Sequence, residues 1–180
     1  MQTGHELLLH GMSDILDGER QLVDALQVLE KDSTNPQLKK AFAGHRQETE
    51  GHVERLEECF TLLGESPEDS ECTGIKGLVE EKKAFMEEEP SPDILDLFHT
   101  GAAIKTESYE ICEYRSLISL AREMKHTKVA QLLARNLKEE RAALKKMEGF
   151  SKKLKPEEMM TEEQQEKIPA AVGKRPRRAA

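Results

Sequence analysis

Glu19, Glu48, Glu107, Glu110 and Glu140 lie on or beside stretches whose apolar residues recur at helical spacing, and His45 and His52 flank Glu48 within one of them. Grouped carboxylates with one or two imidazoles are a donor set for divalent cations. The oxygens neutralise charge and bridge two ions, and the nitrogens complete each ion's shell. The chemistry in view is a carboxylate-bridged dinuclear iron or manganese centre. The competing reading is that these acids are the wet faces of ordinary helices. Asp and Glu make up 35 of 180 residues, so position rather than number must decide.

The elements that would position them are long amphipathic helices. Leu8, Met12, Ile15, Leu16, Leu22, Val23, Leu26 and Leu29 mark a first helix running to about Lys31, which "DSTNP" breaks. Pro36 suits the first turn of a second helix, with Thr34 or Asn35 as its cap and Gly64 as its terminator. A polar loop and the shorter amphipathic segment "IKGLVEEKKAFMEEE" then form a long crossover. A third helix starts near "SPDILDLF", "EMKHTK" is a turn, and a fourth carries Val129, Leu132, Leu133, Leu137, Leu144 and Met147. Two hairpins joined by a long crossover predict an all-α, ferritin-like four-helix bundle over residues 1–154, with a short fifth helix in the crossover. Residues 155–180 read as a flexible tail with room for one short helical stretch.

Each long helix then has an acid at or beside its apolar stripe. Glu140 sits between Leu137 and Leu144 where an apolar residue is expected, and Glu107 and Glu110 share a face with Ala103 and Tyr114. Glu19 and Glu48 stand equally far from "DSTNP", as Glu107 and Glu140 do from the second turn. At ~1.5 Å per residue both levels fall near the middle of a bundle roughly 45 Å long. Buried carboxylates without cations nearby would cost several kcal/mol each, so the acids either skirt the surface or are neutralised by metal. An 88-residue shift also lays Ile15, Leu16, Glu19 and Val23 over Ala103, Ile104, Glu107 and Ile111, a weak internal repeat.

The Glu-x-x-His spacing of dinuclear bundles is missing. His45-x-x-Glu48 and Glu48-x-x-x-His52 both place a histidine and a glutamate on one side of the second helix. On the fourth helix Ala143 and Leu144 stand where a histidine would follow Glu139 or Glu140. Glu50, Glu54, Glu57 and Glu58 are expected to be solvated, and His5, His10, His99 and His126 to lie at ends and turns without a role.

Composition removes other classes. The longest apolar run, Leu7 to Leu9, is far short of the ~20 residues a bilayer span needs, so a cytoplasmic protein is expected and no membrane partner. Cys59, Cys72 and Cys112 form no C-x-x-C pair and are expected as reduced thiols. A net charge of −8, with "KRPRR" in the tail offsetting a more acidic body, argues against nucleic-acid binding by the folded part. No Ser/His/Asp, Cys/His or glycine-rich phosphate motif is present.

The stretches "SDILDGERQL", "HRQETEGHVERLEE", "AAIKTESYEICEYRSLISLA" and "VAQLLARNLKEERAALKKM" resemble the ferritin-like bacterial stress proteins that include YciE and YciF, from about Glu6 to Leu154. The resemblance implies a rubrerythrin-type bundle, a homodimer or higher homo-oligomer, and a dinuclear site drawing on Glu19, Glu48, Glu107, Glu110, Glu140 and His45. Leu144 departs from the family pattern, where a polar residue is expected. Two functions follow as expectations. One is a stress-associated protein with an iron or manganese pair and oxidase- or peroxidase-like reactivity toward oxygen or peroxide. The other is a non-enzymatic helical oligomer whose metal site is degenerate.

Overall fold

The computed structural model describes residues 1–166, which form α1 (Gly4–Asp32), α2 (Pro36–Leu63), α3 (Thr73–Met86), α4 (Pro92–Glu123), α5 (Thr127–Ser151), a 3-10 turn (Pro156–Met159) and a short α6 (Glu162–Glu166). "KRPRR" and the end of the expected tail lie outside the described residues. No described residue is in a strand, and no described helix is long and apolar enough to cross a membrane.

Local signals set the helix ends. Thr3 and Glu6 form a reciprocal capping box at α1. Asn35 accepts from the Gln37 and Leu38 backbone N–H groups with Pro36 in the first turn of α2. Gly64, at φ 71°, closes α2 in the left-handed conformation that glycine adopts without steric cost.

α1 packs along α2 and α4 along α5, and the two hairpins meet through α2 with α5 and α1 with α4. Asp96 at the start of α4 locks the α1–α2 turn, accepting from Thr34 N at 2.8 Å, Thr34 Oγ1 at 2.6 Å and Asn35 N at 2.8 Å. The α4–α5 turn lies at the other end, where Met124 packs near Gly4. The crossover helix α3 lies against α1 and α4, with Ile75 its one buried side chain.

The core is not continuous. One apolar cluster gathers Leu8, Met12, Ile15, Leu16, Leu56, Phe60, Leu117 and Leu133; a second, toward the α1–α2 turn, gathers Leu26, Leu38, Phe42, Ala103 and Met147. Between them the inward positions of all four long helices are polar: Glu19, His45, Thr49, His52, Glu107, Glu110, Asn136 and Glu140 are all buried.

The register of the first hairpin differs from expectation. Across from Glu19 stands His52, not Glu48. His45, Thr49 and His52 occupy the buried stripe of α2, and Glu48, one residue or about 100° around the helix from Thr49, turns to solvent with its side chain 51% exposed. His99 also departs from its expected idle role: it is buried, with Nδ1 3.0 Å from Ser33 Oγ, and burial pushes its pKa down to about 4.

Candidate metal centre

Two groups of buried side chains converge in the polar layer. Glu19, His52 and Glu140 each present one donor atom within 4.8 Å of the others, and so do His45, Glu107 and Glu140. Glu140 belongs to both. Its Oε1 lies 2.6 Å from His52 Nδ1 and its Oε2 lies 3.8 Å from His45 Nε2. On either side, Glu19 Oε1 lies 3.2 Å from His52 Nδ1 and Glu107 Oε1 lies 2.9 Å from His45 Nε2. Helical spacing explains the set: His45 and His52 are seven residues apart on α2, two turns, and so address one face at two heights.

The remaining expected residues take different places. Glu110, 1% exposed, is buried beside the two groups without joining either. Glu48 stands outside the cluster, its Oε2 3.4 Å from His45 Nδ1, so it faces the nitrogen of His45 that points away from Glu107. That contact holds the Glu48 carboxyl below its usual range. Glu50, Glu54, Glu57 and Glu58 are exposed as expected, Glu57 pairing with Arg20.

Several groups that surround the site carried only weak marks in the chain. Tyr114 donates to Glu19 Oε1, and Asn136 Nδ2 donates to Tyr114 Oη at 2.9 Å. Glu139, one-third exposed, lies 3.0 Å from His52 Nε2 and pairs with Arg55. Thr49 occupies the carboxylate position of a Glu-x-x-His motif ending at His52, and Ala143 the histidine position of one starting at Glu140. The weak repeat did hold a usable signal, since the 88 residues that separate Glu19 from Glu107 also separate His52 from Glu140. The two facing pairs are one pattern used twice.

Electrostatically the cluster is unfinished. Four carboxylates, none more than 2% exposed, meet two buried imidazoles and no buried Lys or Arg among the described residues. Glu107 Oε2, both oxygens of Glu110 and both of Glu140 have no well-directed hydrogen bond. Buried acceptors without donors are rare because each loses its hydration without replacement. Burial drives the Glu140 carboxyl up to about 7, against the opposing contact with His52. Burial and then the charges of Glu140, Glu19 and Glu107 drive Glu110 well above its ordinary range. Burial works against both imidazolium ions, yet contacts with Glu140 and Glu19 push His52 up to about 10, and Glu107 and Glu48 raise His45 well above its ordinary value. The donor set fits a pair of divalent cations: carboxylate oxygens lacking partners, one imidazole on each side, and one carboxylate placed between the two groups.

Comparison with known proteins agrees with this layout of helices. The family described as Domain of unknown function (DUF892) matches residues 3–160. Protein YciF of Escherichia coli (strain K12) is 34% identical over 143 residues, 79% of this chain and 86% of that protein. The crystal structure of the E. coli stress protein YciF superposes with a TM-score of 0.82 at 31% identity, covering 86% of this chain and 98% of that one. YcfI from Rhodopseudomonas palustris superposes with a TM-score of 0.80 at 36% identity, covering 82% and 94%. With the match spanning nearly the whole described chain, this protein belongs to the YciF-like family, defined by the DUF892 domain.

Proposed function

We propose that this chain is a ferritin-like four-helix bundle that binds two divalent iron or manganese ions and reacts with oxygen or peroxide in a stress response. The observation that carries the reading is the shared position of Glu140, which belongs to both three-residue groups. Glu19 and His52 would hold one ion and His45 and Glu107 the other, with Glu140 between them. Glu110, buried and with neither oxygen hydrogen-bonded, would be the exchangeable ligand. Such a metal pair would supply redox chemistry toward oxygen or peroxide.

The chain's own groups have definable tasks around it. Glu139 accepts from His52 Nε2, which leaves Nδ1 to the site, and Glu48 does the same for His45 Nδ1, which leaves Nε2. Tyr114 and Asn136 orient Glu19. The apolar clusters above and below exclude bulk water.

A degenerate, non-enzymatic centre would follow from Thr49 and Ala143 if nothing replaced their missing ligands. His45 answers that for the Glu107 side, because it brings an imidazole from α2 to where α5 has none. The proposal includes self-association as a homodimer or higher homo-oligomer, which light scattering on the purified chain measures. The reaction is tested by adding ferrous iron under anaerobic conditions, then oxygen or peroxide, and following ferric absorbance. Rapid oxidation abolished by Glu107→Ala supports the reading; oxidation at the rate of free iron overturns it.

A further inference from the structure

A cavity of about 130 Å³ opens between α1, α3 and α4 and runs down to the candidate centre. Its walls are Leu22, Leu26 and Leu29 of α1, Leu78 and Val79 of α3, and Ala103 of α4. Its buried end is formed by His45 and Glu107, and Glu107 Oε2 there has no hydrogen-bond partner. Its solvent end carries Lys82 and Lys83. Asp32 already pairs with Lys82 at 2.6 Å, whereas exposed Lys83 has no ion pair among the described residues.

The origin of the cavity lies in the crossover. α3 is anchored by Cys72 and Ile75, which pack with Leu22 at its N-terminal end. Beyond Ile75 no residue of α3 is fully buried, so Leu78 and Val79 roof a gap instead of filling it. A gap of this kind is a persistent loss of packing unless something occupies it. Its size is informative, since an engineered apolar cavity of about 150 Å³ takes up benzene. The space therefore suits an apolar body of roughly six carbons, and the lysines at its mouth suit a molecule with one anionic head.

We infer that this cavity is a binding site for a small apolar carboxylate, seated with its head at Lys83 and its apolar end against Glu107 and His45. The inference rests on the proposed metal centre only in that the ligand's apolar end would lie beside that centre. Binding itself needs only the cavity. An apolar chain desolvates at little cost against Leu22, Leu26, Leu29, Leu78 and Val79, and the carboxylate stays at the wet rim beside a cation.

The test uses hexanoate and hexanol as probes, with binding to the full chain followed by saturation-transfer and protein-observed NMR. Metal content is measured on the same samples. Expected are hexanoate binding with shifts confined to the cavity walls on α1, α3 and α4 and to His45 of α2, a several-fold weakening by Lys83→Glu that hexanol does not show, and loss of both probes in Val79→Trp. Ala103→Phe fills the cavity from the opposite wall and should act alike; melting curves confirm that each variant is folded. Hexanoate binding unchanged in both filled variants would overturn the inference, as would a cavity that admits xenon and hexanol but not hexanoate. If metal is absent and hexanoate still binds at this cavity, the metal reading fails and the binding site stands. If metal binds and hexanoate does not, the reverse holds.

Discussion

Glu140 Oε1 stands 2.6 Å from His52 Nδ1, although both residues are fully buried and neither Glu140 oxygen has a well-directed hydrogen bond. An acid and a base placed this close in a dry layer are held by a proton when no cation is there. A divalent ion that displaced the proton would be bound by the same two atoms. The account of this protein turns on that exchange.

Glu139 should matter to the site without belonging to it. Its carboxylate lies against His52 Nε2 and fixes which nitrogen faces inward. Glu139→Gln is expected to weaken metal at the Glu19–His52 side by about 10–100-fold, the usual effect of losing such a support. Competition with a chelator measures this, and the fold should survive, because Glu139 is partly exposed.

The metal-free protein should lose stability as pH rises. His52 titrates at about 10 against an ordinary 6.5, and Glu140 at about 7 against 4.5, so the native state holds more protons than the unfolded chain across that span. Each contribution is complete below the unfolded value and disappears as pH passes the folded one. His99, depressed to about 4, acts in the opposite sense only below about pH 6.5, which makes pH 7 to 9 the clean window. Melting temperature without metal should fall through that window, while the gain on adding metal grows, since the ligands must release their protons to bind.

Thr49→Glu restores Glu-x-x-His on α2. Without metal the new buried carboxylate should cost on the order of 2–4 kcal/mol. With metal it should raise affinity at the His52 side at least tenfold and recover the lost stability. Parallel urea melts with and without manganese report both effects.

The two hairpins, the crossover and the helix ends were legible because capping residues, Pro36, Gly64 and the apolar stripes are local signals. Four acids of the layer were legible for a related reason: Glu19, Glu107, Glu110 and Glu140 interrupt or share apolar stripes. The placement of Glu48 is not legible in the same way. Equal distance from a turn fixes a height along a hairpin, but whether Glu48 or its neighbour Thr49 points inward depends on rotation of the helix about its own axis. His52 facing Glu19 follows from that rotation, and so does the burial of Thr49. The roles of Glu139 and Arg55 depend on contacts between α2 and α5 separated by more than 80 residues, and that of Asn136 on its bond to Tyr114 across the α4–α5 hairpin, which no local pattern records.

Asp96 provides a control on stability alone. Three hydrogen bonds join it to the α1–α2 turn, remote from the polar layer. Asp96→Ala should destabilise the protein by about 3 kcal/mol, given the usual worth of hydrogen bonds to charged groups and of donors left unpaired. Chemical denaturation measures the loss, and metal content should not change.

The most direct measurement is the metal content of untagged protein after loading with ferrous iron or manganese and removal of the excess. The shared position of Glu140 predicts two ions per chain in the wild type, about one in Glu107→Ala, and none retained in Glu140→Ala. Fewer than one ion per wild-type chain, or two ions still bound in Glu140→Ala, would contradict the account.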